Sequence, residues 1–259
     1  MVRSDLKQAR IGQVSYTKYG TPVIVKDYIT NKKVLIQFQD DYKYEYYVEY
    51  AKFKIGQFEN PYDKTVLGVG CIGVGKYRPT INGKITKQYS AWRNMLVRCY
   101  DEEKHKERET YEECTVCDEW LNFQNFAKWY DENFYQCGDE EMHIDKDILL
   151  KGNKKYCSQY CVFVPSNINV LFTKTDKLRG NCPIGVCYRE EDNLYFAFCN
   201  SNVIGKRKYL GSFHNEFDAF REYKKYKESI IRQVADVYKG RIPNKLYEAL
   251  YNYKVDITD

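Results

Sequence analysis

Polar and apolar positions alternate with a period of two over roughly the first 65 residues, in GQVSYTKYGTPVIVKDY, KKVLIQFQD and YKYEYYVEY. β-Branched and aromatic residues cluster there, punctuated by Gly20, Pro22 and Asn31, which predicts a small β module, a barrel or curled sheet, ended by the turn FENPYD. From about residue 88 the period lengthens. In QYSAWRNMLVRCYDEE, Trp92, Met95, Leu96 and Cys99 fall at helical spacing. HKERETYEE reads as a charged connector, and DEWLNFQNFAKWYDENF predicts a second helix. Its Trp120, Phe123, Phe126 and Trp129 or Tyr130 belong to a core rather than to a cofactor box.

MHIDKDIL then reads as a strand, LKGNKK as a turn, YCVFV as a returning strand and PSNINVLF as a short helix with Pro165 in its first turn. TKTDKLRGN reads as a polar linker. IGVCYRE, LYFAFCN and KRKYLGSF predict three short strands. A long amphipathic helix follows, capped by Asn215 and carrying Phe217, Phe220, Tyr223, Ile230 and Val234 on one stripe. A last helix, NKLYEALYNY, closes the pattern. The expected class is α+β and multidomain: an N-terminal barrel-like β module over 1–66, a central region over 67–173, and a C-terminal sheet-and-helix module over 180–259.

The segment VLGVGCIGVGKYRPTINGK contains GxGxxG at Gly68, Gly70 and Gly73, then Gly75-Lys76. A dinucleotide loop should open a helix. Here Pro79 and an Asn-Gly turn follow, and the second Gly-Lys lacks a Ser or Thr to reach a metal. A glycine-rich β connection accounts for it better.

Composition narrows the class. With 259 residues, 43% hydrophobic and 30% charged, the chain is globular, and no apolar run reaches membrane-span length. The N-terminus MVRSDLKQARIGQ has no h-region, so a soluble cytoplasmic protein is expected, in the host cell if a phage encodes it. The ten cysteines are then expected as thiols or metal ligands rather than disulfides. The net charge of +5 decides nothing, and the 26 tyrosines suit strands and offer flat faces to a partner.

The stretch EMHIDKDILLKGNKKYCSQYCVFVPSNIN holds one of only three histidines, with carboxylates on both sides. A strand–turn–strand–helix hairpin of this kind can hold one divalent metal and a general base at a phosphodiester. Residues of roughly 88 to 172, through WRNMLVRCY, DEWLNFQNFAKW, HIDKDILLKGN and CVFVPSNIN, resemble the HNH (ββα-metal) endonucleases, especially those of bacteriophages, homing enzymes among them. The resemblance implies Mg²⁺ or Mn²⁺ held by a strand Asp or His and a helix His or Asn. It also implies a general-base His beside the first ligand, oriented by a mid-loop Asn.

Two registers fit. In one, His143 is the base and Met142 falls where a metal ligand belongs, a poor donor for a hard ion. In the other, Asp145 and Asn169 (or Asn167) are the metal ligands, Asn153 is the orienting residue, and Lys146 stands at the base position. A lysine ammonium, mostly charged at neutral pH, is a weak base. Strand alternation puts His143 and Asp145 on one face, so His143 can serve as base from two positions away. The competing readings are a polar hairpin without metal and a scaffold that has lost catalysis.

Cys114 and Cys117, as CxxC, and Cys157 and Cys161, as CxxxC, could form a structural Cys₄ zinc site like those of some HNH proteins. The alternative is partly buried thiols.

Residues of about 180 to 237, through IGVCYRE, YFAF and KRKYLGSFHNEFDAFREYKKYKE, resemble the apetala-two (ethylene-response-factor) DNA-binding domain, which also occurs in phage HNH endonucleases. That family lays a three-stranded sheet in the major groove of duplex DNA. The resemblance carries groove-facing roles to Arg189, Asn200, Arg207 and Tyr209, with Lys206 and Lys208 as phosphate contacts. Phe196 and Phe198 share the face of Asn200, while Tyr195, Ala197 and Leu210 should face the helix. Ile184 and Cys187 stand where the family carries more arginines. Together these features imply a metal-dependent duplex-DNA endonuclease. The alternatives are an inactive HNH scaffold binding DNA or protein, and a binder whose functional end is the N-terminal module with a further partner.

Overall fold

In the computed structural model, residues 3–107, 113–172, 182–201 and 205–259 are described, and the chain divides into two compact units, Met1–Glu132 and Asn133–Asp259. The linker expected over 173–181, part of the charged connector and the Lys206 side chain lie outside the described residues. No helix among the described residues is long and apolar enough to cross a membrane.

The first unit opens with α1 (Arg3–Arg10), then β1 (Val14–Tyr16), β2 (Pro22–Thr30), β3 (Lys33–Phe38), β4 (Glu45–Val48) and α2 (Tyr50–Lys54). The strands form an antiparallel meander in the order β1-β2-β3-β4. Alternation buries Val23, Val25, Val34, Ile36, Phe38 and Val48 on one face, where Phe53 and Phe58 join them. The sheet is not the barrel that the pattern allowed. It stays open, because four strands of which the two outer ones are short cannot wrap a side-chain-filled interior. Irregularities between Val25 and Asp27 and between Tyr28 and Thr30 interrupt the regular pairing of β2 with β3, and such bulges bend a sheet without closing it.

The glycine-rich segment is a connection, as its Pro and Asn-Gly signals predict. The Gln124 amide fills it: its Nε2 donates to the carbonyls of Ile72 (3.1 Å) and Tyr77 (3.0 Å), and its Oε1 accepts from Tyr77 N–H (3.1 Å). A Cβ on Gly75 would lie 2.2 Å from that Oε1, so the glycine is there for a side chain of the same molecule. β5 (Thr80–Ile81) and β6 (Lys84–Ile85) form the hairpin that follows. α3 (Lys87–Tyr100) is capped by Thr86, whose hydroxyl accepts from Tyr89 N–H. It buries Trp92, Met95, Leu96 and Cys99, the stripe read from the spacing. After α4 (Glu102–Glu107) and β7 (Thr115–Val116), α5 (Phe123–Asn133) buries Phe123, Phe126, Ala127, Trp129 and Tyr130. These aromatics are core, and the Trp92 indole N–H donates to the Trp120 carbonyl at 2.6 Å.

The second unit contains β8 (Met142–Asp145), β9 (Lys155–Tyr156), β10 (Val162–Pro165) and α6 (Ser166–Asn169). It continues with β11 (Val186–Arg189), β12 (Leu194–Ser201), β13 (Gly205–Phe213), α7 (Glu216–Val237) and α8 (Asn244–Tyr251). β8 and β10 pair antiparallel with His143 opposite Val164 and Asp145 opposite Val162. Pro165 ends β10 and precedes α6 as its cap rather than occupying the first turn. β11, β12 and β13 form one antiparallel sheet whose inner face packs on α7. Asn215 caps that helix through Asp218 N–H at 2.8 Å.

A single hydrophobic cluster joins these parts. Val162, Val164, Ile168 and Leu171 from the hairpin and its helix lie in it with Val186 and Ala197 of the sheet, Ile230 and Val234 of α7, and Leu246 and Leu250 of α8. The expected boundary near 173–180 therefore does not separate compact units. The division falls at 132/133 instead, with α3 in the first unit and the hairpin in the second, because the hairpin shares its apolar face with the sheet and helices that follow. Fully burying one such side chain contributes about 1.5–3 kcal/mol. The C-terminal tail is tied in by buried Glu228. Its carboxylate accepts from Val255 N–H at 3.1 Å and lies 3.4 Å from Arg232 and 3.5 Å from Lys254.

Candidate functional site

The hairpin and the helix behind it bring together residues far apart in the chain. Ser166 N–H donates to the Glu141 carbonyl at 2.8 Å, which fixes the start of α6 beside the start of β8. One turn later, the Asn169 side-chain nitrogen reaches to 3.3 Å from His143 Nδ1. On the other side of the ring, Glu141 Oε1 is 3.5 Å from Nε2. The His143 side chain is 35% exposed and that of Glu141 82%, so the imidazole is held by an amide and faces solvent through an acid. Glu141 was not among the residues singled out from the sequence. Its signal is the alternation Glu141-x-His143-x-Asp145, which puts three ionisable groups on one side of a strand.

Asp145 shares the His143 face, and its Oδ1 accepts from the N–H groups of Asp147 (2.9 Å) and Ile148 (2.7 Å). Burial pushes its carboxyl up to about 6, with the neighbouring Asp147 charge adding to the rise and the two backbone hydrogen bonds opposing it. A carboxylate disfavoured by burial and by a like charge is relieved by a cation. Asn153 lies across the loop. Its Nδ2 donates to the carbonyls of Lys146 (2.7 Å) and Lys155 (2.8 Å), and its Oδ1 accepts from Lys155 N–H (3.2 Å). It thus orients residue 146 through the backbone. The Lys146 side chain is nearly buried, with Nζ 3.2 Å from Asp147 Oδ2, so it is turned away from solvent. Asn167, the other candidate helix ligand, bonds instead to the Tyr238 hydroxyl, which burial first and then Glu140 push up to about 12.

No group of three or more His, Cys, Asp or Glu side chains that could hold a metal ion is assembled among the described residues. A magnesium-type ion does not require one, since it keeps several waters and takes one or two carboxylates plus substrate oxygens. Asp145 and the Asn169 carbonyl oxygen are hard donors of that kind. Of the proposed zinc ligands, Cys114 and Cys117 belong to the first unit and Cys157 and Cys161 to the second, and none of the ten cysteines is in a disulfide.

The three-stranded sheet turns one face to α7 and the other outward. Ala197 is fully buried, and Tyr195 and Leu210 pack on the same cluster, as the alternation predicts. On the outer face the Arg189 guanidinium lies 4.4 Å over the Phe196 ring and that of Arg207 lies 3.9 Å over the Phe198 ring. Tyr209 pairs across the strands with Phe198 at a centroid distance of 5.4 Å and is 53% exposed. Asn200 is exposed near the end of the same strand. Lys208 is carried to the helix side, with Nζ 4.5 Å over the Tyr226 ring of α7. No family model, no curated protein and no solved structure matches this chain.

Proposed function

We propose that this chain is a metal-dependent endonuclease of the HNH type that hydrolyses phosphodiester bonds in duplex DNA. The observation that carries this reading is the meeting of His143 with Asn169 across 26 residues of sequence, beside Asp145 on the same strand face. The outer face of the sheet, with Arg189, Arg207 and Tyr209, supports duplex DNA as the substrate.

In this reading His143 is the base. With the Asn169 amide turned so that its Oδ1 accepts from Nδ1–H, the Nε2 lone pair is left to take a proton from water. Glu141, 3.5 Å from Nε2, stabilises the imidazolium that results. Asp145 and the second lone pair of Asn169 Oδ1 would hold the cation. Bound Mg²⁺ or Mn²⁺ would neutralise charge on the phosphate and on the leaving oxygen. Asn153 fixes the loop that follows the strand, so that Asp145 keeps its two backbone donors.

A second reading rests on Lys146. A nearly buried lysine paired with Asp147 at the base position of one register favours a scaffold that binds DNA without cutting it. The two readings separate in one experiment: incubation of supercoiled plasmid and phage genomic DNA with Mg²⁺ or Mn²⁺, using wild type, Asp145→Ala, His143→Ala and Lys146→Ala. Cutting by wild type and Lys146→Ala, lost in the other two, upholds the nuclease and His143 as its base. Salt-dependent binding with no cutting upholds the scaffold.

A further inference from the structure

From the outer face of the three-stranded sheet we infer that it reads thymine, through the C5-methyl groups that line the major groove, with a guanine-reading arginine at each side. This rests on the duplex-DNA reading above and adds the base class to it.

The centre of that face is apolar. Phe196, Phe198 and Tyr209 pack with centroids 5.4 to 6.5 Å apart, and Cys187 lies opposite Phe196 on the neighbouring strand. Rings and a thiol offer little to the hydrogen-bonding edges of guanine, adenine or cytosine. In the major groove of unmodified DNA the thymine methyl is the apolar feature. The guanidiniums of Arg189 and Arg207 lie over the faces of Phe196 and Phe198. A covered ring face is closed to an unstacked base, so the arrangement disfavours stacking on single strands and leaves the ring edges to make contact. Stacking holds a guanidinium in one plane with its N–H edge turned from the ring, as a bidentate contact to guanine O6 and N7 needs; Arg189 Nη1 also lies 4.0 Å from Asp192 Oδ2, an exposed pairing that a guanine edge would displace. Tyr209, 53% exposed, adds a hydroxyl to the apolar patch.

The test uses the full chain. Tight-binding duplexes are selected from a random 30-base-pair library, sized to roughly three turns of the helix. They are then remade with deoxyuridine in place of thymidine, either inside the selected core or only in the flanks. The expected result is a core rich in thymine next to guanine, and a loss of about fourfold for each methyl group contacted when core thymines become uracil. Flank replacement should change nothing, and Phe198→Leu should shrink the thymine-over-uracil preference. Equal affinity for thymine and uracil cores, with duplex binding still salt-dependent and weakened by Arg207→Ala, overturns the inference and leaves the duplex reading standing. Failure to bind any duplex, or equal binding of single strands, overturns both.

Discussion

The amide nitrogen of Asn169 lies 3.3 Å from Nδ1 of His143, joining the short helix to the first strand of the hairpin. His143→Ala should lower cleavage of supercoiled DNA by 10²–10⁴-fold, the usual worth of a positioned base. Asn169→Ala should cost roughly 10–100-fold by freeing the ring and removing a cation donor. Single-turnover rates at saturating Mn²⁺ check both, and an Asn169→Ala rate equal to wild type would exclude the orienting role.

Asp145 gives a pH signature. Its folded carboxyl is raised to about 6 from the usual 3.8. The neutral form is therefore the one favoured by folding: its contribution is full below about 3.8 and is lost as pH rises through about 6. Asp145→Asn removes that loss. The variant should match wild type near pH 4 and exceed it by roughly 3 kcal/mol at pH 7, measured by urea unfolding without metal. Mn²⁺ should raise the melting temperature of wild type at pH 7 and leave Asp145→Asn unmoved.

Arg207 is exposed and stacked on Phe198. Arg207→Ala should weaken duplex binding by about tenfold or more and relax sequence preference. Lys208→Ala should do little, because that side chain lies over Tyr226 on the helix side. Titrations at two salt concentrations distinguish a lost base contact from a lost phosphate contact, since only the latter reduces the salt slope by about one.

Gly185 has φ +78°, and a Cβ there would fall 2.1 Å from the Tyr223 ring. Its carbonyl also accepts from Phe198 N–H at 2.8 Å. Gly185→Ala should therefore cost on the order of 2 kcal/mol or more through strain and displacement of the sheet from α7. Thermal unfolding checks this, and Tyr223→Leu in the same chain should recover part of the loss.

Glu228, on α7, is buried against the C-terminal tail. Glu228→Ala should destabilise by about 1–3 kcal/mol, since it leaves the buried Val255 amide without its acceptor, while Arg232 and Lys254 are exposed enough for water to take over. Glu228→Gln should cost less, because its carbonyl oxygen still accepts from Val255. Denaturant midpoints give the comparison.

Much of the local structure was legible. Trp92, Met95, Leu96 and Cys99 announce a buried stripe by spacing alone, and Pro79 after the glycine run argues against a phosphate loop. Alternation assigns Ala197 inward and Phe198 outward. Long-range facts were not legible. Whether four strands close depends on an outer pair that periodicity does not encode. The common core of Val164, Ala197 and Ile230 moved the division to 132/133, because apolar residues at three distant places carry no mark of sharing one interior. Glu141 reads as a solvated charge until the backbone bond from Ser166 brings the helix up beside the strand. The resemblance gives Lys208 a phosphate role, while its alternation with Arg207 puts it on the helix side of the strand, over Tyr226.

That shared interior has a consequence for cooperativity. The hairpin that would cut and the sheet that would hold the duplex draw on the same buried residues, so neither is a detachable module. Slowly exchanging amides in β8, β12 and α7 should open together, with one free energy, in native-state hydrogen exchange. A chain cut at 173 should lose the hairpin along with the sheet, and evolution could not shuffle one without rebuilding the other.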